Sequence, residues 1–190
     1  MANEKRAVVD KWKKKRQFKL IAPKFLSSVE FGETVAIKPE QIIGRTTKIN
    51  YGTLTNQVKK RNIDLMLKAS RVEGSNVQTD LSGFEVKKSF LRRLFRRRTS
   101  KIEIIIKLKT KDEKKLKIKY VIVTRGKQEL SKRKIIRKDA IDYVTNMALE
   151  MNLDKFMEKA LDNNFFSELL PKIKKITPIS ATEIEFTKVL

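Results

Sequence analysis

Between residues 17 and 124 the apolar positions mostly alternate with polar ones, and between about 131 and 162 they recur every three or four residues. Alternation puts every second side chain on one face of a strand, and the longer spacing does the same for a helix. Residues 17–22 (QFKLIA) predict a strand that Pro23 stops. After Phe25, Phe31 and Gly32, a short strand is expected over Thr34–Lys38, with Pro39 ending it. Residues 42–50 are β-branched and read as a strand, in which Gly44 marks a bulge or a close approach of backbone. Over 61–70, Ile63, Leu65 and Leu67 share one face, while Asp64, Met66 and Lys68 share the other. A Glu-Gly-Ser-Asn turn follows at 73–76. Residues 79–83 (TDLSG) read as a loop leading into Phe84 and Val86.

Residues 88–98 predict a short amphipathic helix with Phe90, Leu91, Leu94 and Phe95 inward and arginines outward. The hairpin signal is clearest at 102–110 and 115–124, joined by Lys111-Asp112-Glu113-Lys114. There Leu116, Ile118 and Tyr120 face a core, and Lys115, Lys117 and Lys119 face away. Ser131 is the expected N-cap of a long helix reaching about Asn152, with Ile136, Ala140, Ile141, Val144, Ala148 and Met151 as its stripe. A second helix over 153–162 buries Phe156, Met157 and Ala160, and residues 165–176 add a turn or two interrupted by Pro171. Beyond Pro178, residues 182–189 alternate again around Ile184 and Phe186. The expectation is an α+β fold: an antiparallel, barrel-like sheet flanked by helices. One domain over 17–190, helical from about 131 to 176, would follow a basic arm over 1–16.

Charge changes the picture. Of 190 residues, 45 are Lys or Arg and 22 are Asp or Glu, a net charge of +23. With 40% apolar residues the chain can still build a core, so it is not read as a disordered polycation. Residues 1–138 hold 39 basic against 13 acidic residues, and residues 139–190 hold 6 against 9. A compact body with such a charge repels itself, which points to a polyanionic partner, nucleic acid foremost. The chain has no cysteine and no histidine, which removes disulfides, thiolate metal sites and histidine-based catalysis. No apolar run approaches the ~20 residues of a membrane span, and the N-terminus lacks the apolar stretch of a signal peptide. A cytoplasmic protein is expected, with no metal, cofactor, small-molecule substrate or membrane.

The candidate RNA contacts follow the basic clusters. Lys13, Lys14, Lys15 and Arg16 read as an arm that orders on RNA, beside Trp12 as a packed anchor or a base-stacking ring. Lys19, Lys24 and Arg45 continue the basic surface. Arg92, Arg93, Arg96, Arg97, Arg98 and Lys101 lie in a stretch without a single acid, and their guanidinium groups suit phosphates or unpaired bases. Lys117 and Lys119 contact phosphates, or guard an edge strand. Arg125, Lys132, Arg133 and Lys134 form the last cluster. The acidic residues from Asp139 to Glu168 would repel RNA and face solvent or a basic neighbour. Asp112-Glu113 and Asp139/Asp142 do not form the paired carboxylates that nuclease chemistry needs. A free RNA chaperone or translation regulator fits the same charge pattern.

Several segments, in order, resemble the archaeal and eukaryotic small-subunit ribosomal protein family known as S-three-A-e. They are Trp12 with Phe18–Phe25 (FKLIAPKF), Phe31–Thr34, Ile43-Gly44-Arg45, Thr79–Phe84, Leu91–Glu103 (LRRLFRRRTSKIE), Val123-Thr124-Arg125 and Ile136-Arg137-Lys138. The likeness covers nearly the whole chain, and the ending at Leu190 looks archaeal. Glu33 stands where the family has a lysine, and residues 16–18 lack the expected Tyr-Asp type pair. The resemblance implies a structural constituent of the small subunit, supporting translation on the platform near the mRNA exit. Its partners would be ribosomal RNA and neighbouring platform proteins, with mRNA passing nearby.

Overall fold

The computed structural model describes residues 14–162 and 165–190; Trp12 and Lys13 of the expected arm lie outside the described residues. The fold is α+β, with eight strands and five α-helices among the described residues. The strands are β1 (Arg16–Ile21), β2 (Glu30–Ala36), β3 (Thr46–Asn50), β4 (Ile63–Glu73), β5 (Asn76–Val86), β6 (Lys101–Lys109), β7 (Lys115–Thr124) and β8 (Ile179–Val189). The helices are α1 (Tyr51–Leu54), α2 (Lys88–Leu94), α3 (Leu130–Glu150), α4 (Leu153–Leu161) and α5 (Leu169–Lys174).

Two compact units divide the chain, one taking residues up to Thr47 with Leu67–Asp80, the other Lys48–Met66 with Leu81–Leu190. In the first, β1 and β2 form an antiparallel pair from Arg16↔Ala36 to Ile21↔Glu30. On its other edge β1 runs parallel to the start of β5, with Lys19 opposite Asn76. Phe18, Leu20, Ala36, Ile42, Ala69 and Val77 fill this unit's core, with Phe31 and Val72 packed against them. Gly44 makes the expected close approach: at φ +87° it donates to Ala69 O at 2.9 Å, and Ala69 N–H returns a bond to Arg45 O at 2.9 Å.

In the second unit β7 lies between β6 and β8, and β8 pairs antiparallel with the end of β5. Leu116, Ile118, Tyr120 and Ile122 of β7 are fully buried, as the alternation predicts. Helix α3 lies against β6, and its buried side chains are Ile136, Ala140, Val144, Met147 and Ala148. Phe156, Phe165 and Phe166 pack edge to face, the last two with ring centroids 4.8 Å apart. Gly83 is where β8 comes closest: a Cβ there would stand 2.1 Å from Thr187 O, so no side chain is admissible.

Several expectations change. The strand order is β2-β1-β5-β8-β7-β6, with β4 pairing β3 and β5, so the sheet is open and not a closed barrel. It is mixed and not wholly antiparallel, because β1 runs parallel to β5. Residues 79–83 are no loop but the middle of β5: Thr79, Leu81 and Gly83 are buried, and the polar look of TDLSG hides a period of two. Residues 42–45 are not strand, since a 3-10 turn begun by Pro39 delivers Ile42 to the core and β3 starts only at Thr46. Helix α2 ends at Leu94, and α3 is flanked by Glu129 as N-cap position with Ser131 inside the helix. The short helix α1 was not expected, and β8 starts at Ile179.

Candidate nucleic-acid interface

The acid-free stretch from Lys87 to Lys101 begins as α2, whose one buried residue is Leu91; Phe90, Leu94 and Phe95 are half-buried, and Arg92 and Arg93 are exposed. Phe95 is already extended (φ −89°, ψ 117°). A longer helix would set Arg96 beside Arg92 and Arg97 beside Arg93, like charges four residues apart that oppose helix. The chain leaves the helix instead, with Arg98 in the left-handed region at φ 65°, and Arg96, Arg97 and Arg98 form an exposed loop. Aromatic faces hold some of these cations: the Arg93 guanidinium lies 5.6 Å from the Phe90 ring centre, and the Lys101 ammonium 4.2 Å from that of Phe95.

A buried pair, Ser100 and Thr124, ties this loop to the next basic segment. Thr124 N–H donates to Ser100 O at 3.0 Å, and the Thr124 hydroxyl accepts from Ser100 N–H at 3.1 Å. That hydroxyl donates to Gly126 O at 2.7 Å, with Ser100 O 3.2 Å away. The Ser100 hydroxyl accepts from Gln128 N–H at 2.9 Å, and Arg125 N–H donates to Pro178 O at 3.0 Å. Two loops far apart in sequence, 96–100 and 125–128, therefore meet at the same end of the β6–β7 hairpin. Arg96, Arg97 and Arg98 on the first loop and Arg125 and Lys127 on the second are all exposed.

The second loop runs into α3, where Lys132 and Lys134 are exposed and Arg133 is half-buried, its Nε enclosed and unpartnered among the described residues. The first turn of α3 holds no acid. Cations at the positive end of a helix are unfavourable by some tenths of a kcal/mol each, whereas an anion there is favoured. Glu129, at the N-cap position, is the acid nearest this end.

The remaining candidates divide. In the first unit Lys14, Arg16 and Lys24 are exposed, and Lys19, also exposed, pairs with Glu30 at 3.1 Å. Lys15 is half-buried. Arg45 braces its own turn, donating from Nε to Gln41 O at 2.8 Å and from Nη1 to Thr34 Oγ1 at 3.0 Å and Val35 O at 3.1 Å. On β7, Lys119 sits 2.8 Å from Glu185 and 3.9 Å from Glu103, and Lys117 lies 5.7 Å from the centre of the Phe186 ring. A hydrogen bond from Lys101, with help from Lys119, holds Glu103 below the usual carboxylate range against the opposing pull of burial. Lys119 thus pairs within the sheet and Lys117 lies over a neighbouring ring, while Lys115 at the start of β7 is exposed.

Ser100 and Gln128 carry no charge and were not among the expected contacts, whereas Lys127 lies inside the basic run 125–138. The usable signal was Thr124, a hydroxyl at the end of the run Tyr120–Val123, where a buried polar group needs a named partner.

The sequence matches the model of the Ribosomal S3Ae family over residues 3–190. A small ribosomal subunit protein eS1 from Archaeoglobus fulgidus is 36% identical over 194 residues, covering 100% of this chain and 92% of that protein. Its namesake in Desulfurococcus amylolyticus is 30% identical over 191 residues, covering 100% and 90% respectively. The Saccharolobus islandicus protein of that name is 32% identical over 183 residues, covering 96% and 88%.

Proposed function

The chain belongs to the ribosomal S3Ae family, and on that premise we propose that it holds folded ribosomal RNA in the small subunit through the joined loops 96–100 and 125–128. It is a structural ribosomal protein of archaeal type and not an enzyme. Its work is in the ribosome, in the cytoplasm. The observation that carries the RNA reading is the Ser100–Thr124 clasp, which joins the exposed loop of Arg96, Arg97 and Arg98 to the loop that carries exposed Arg125 and Lys127. Guanidinium groups on short, anchored loops can reach phosphates from several directions and stack on unpaired bases, which suits folded RNA better than a regular duplex. The cation-rich start of α3 extends the same surface, and a phosphate there would relieve the unfavourable helix-end charge. Lys14, Arg16 and Lys24 of the first unit, with the arm over 1–16, add a second set of contacts to one RNA-binding domain over 17–190. The site sits on the platform near the mRNA exit, among other platform proteins.

Binding of the full chain to small-subunit ribosomal RNA across a salt series tests this. Arg92→Gln, Arg96→Gln and Arg97→Gln together should weaken binding and flatten its logarithmic salt dependence by about one unit per lost phosphate contact. An unchanged slope would remove this surface from the interface.

A further inference from the structure

A groove of about 500 Å³ runs between α3, α4 and α5. On α3 its wall recurs at Asp139, Asp142, Met147 and Glu150, one face of the helix about 16 Å long. Half-buried Met151 is the accessible apolar side chain of the floor, above buried Met147 and Leu169, and Asp139, Asp142, Glu150 and Glu168 supply the rim. None of these four carboxylates has an ion-pair or hydrogen-bond partner among the described residues. Lys159 and Lys172 also border the groove without pairing to them, leaving four negative charges against two positive. Burial, and then the charge of Glu168, push the Tyr143 hydroxyl in this wall above its ordinary range.

The composition of the groove selects among occupants. Phosphate is repelled by the rim, so RNA is a poor fit. Among the described residues no three acids are placed to hold a metal ion. A neutral apolar ligand would use the floor and leave the carboxylates unmatched. Only a cationic, amphipathic peptide answers both features: a methionine adapts to varied apolar side chains, and the rim pairs with Lys or Arg around them. The complementarity is notable in a chain of net charge +23, where a basic partner would be repelled elsewhere.

We propose that this groove docks a basic amphipathic segment of a neighbouring protein, a helix of about three turns with one or two apolar anchors. The inference rests on the ribosomal reading for the presence of such a neighbour, but not on which residues touch RNA. The probe is a fluorescein-labelled peptide of about fourteen residues, with leucines three and four apart and Lys or Arg elsewhere, titrated with the full chain and followed by anisotropy. Asp142→Asn, Glu150→Gln and Glu168→Gln together should weaken binding about tenfold or more. The control pair Glu33→Gln and Glu73→Gln, exposed acids of the first unit, should leave it unchanged. Equal binding by the groove variant, equal loss in the control pair, or equal affinity for a peptide with Gln in place of Lys and Arg would each overturn the docking site. RNA binding is measured on the same variants. If the chain fails to bind RNA while the groove effect persists, the RNA reading fails and the docking site stands.

Discussion

Single residues in this chain cannot be assigned to RNA or to the fold by charge alone. Lys119 and Arg97 are both cations in basic stretches, yet Lys119 lies between Glu103 and Glu185 while Arg97 is exposed on a loop. The difference lies in cross-strand neighbours: Lys119 pairs with Ile105 on one side and Phe186 on the other, which sets it between Glu103 of β6 and Glu185 of β8. Alternation shows which face a strand residue takes, but not which strand lies beside it. Glu183 makes the same point with opposite sign. It borders a small cavity with Phe165, Phe166 and Ile184, and burial pushes its carboxyl above the ordinary range. A carboxyl that holds its proton more tightly folded than unfolded stabilises fully only when protonated. That contribution falls as pH rises from the ordinary glutamate range through the raised folded value. Glu183→Gln, which removes the charge and keeps the shape, should therefore raise the melting temperature at neutral pH, with the gain shrinking as the solution is made acid. Thermal unfolding of both proteins across pH checks this; a lower neutral-pH melting temperature for the variant would refute it.

Elements were legible where one period ran uninterrupted. The β6–β7 hairpin, α3 and α4 fall close to the expected places because their apolar stripes are long and of one kind. Residues 79–83 look like a loop because Thr79 and Gly83 occupy inward positions without being apolar, the glycine being required by the backbone of Thr187. The apolar spacing over 88–98 overstates the length of the arginine helix, because it ignores repulsion between arginines four apart. The meeting of loops 96–100 and 125–128 was out of reach, since it depends on a Ser–Thr contact across 24 residues. That contact can be broken without changing any charge. Thr124→Val removes the hydroxyl that serves Ser100 N–H and Gly126 O, leaving buried groups unpaired at a cost of about 1–3 kcal/mol. The expected outcome is lower stability and weaker RNA binding with the salt slope retained, because the cations remain but their loops lose their anchor. Unfolding and filter binding on the same variant measure both; undiminished RNA affinity would show that the clasp does not organise the surface.

At the scale of the whole molecule, charge is partitioned along the chain. Residues 1–138 carry a positive excess larger than the whole chain's +23, and residues 139–190 hold 9 acids against 6 bases. The composition pointed to a polyanion, while the collinear family-like segments pointed to the small ribosomal subunit. The match to the Ribosomal S3Ae family over residues 3–190 makes the second of these a finding. The open, mixed sheet was not foreseen, because strand order depends on pairings such as β1 with β5 that no local pattern encodes. The proposed division of labour has RNA on the basic segments and a protein on the acidic groove. Ultraviolet crosslinking of assembled small subunits, with peptides mapped by mass spectrometry, tests it most directly. The account predicts RNA crosslinks in peptides spanning Arg92–Lys101 and Arg125–Lys134 and none from Asp139–Lys175. RNA crosslinks concentrated in Asp139–Lys175, with the two basic segments silent, would contradict it.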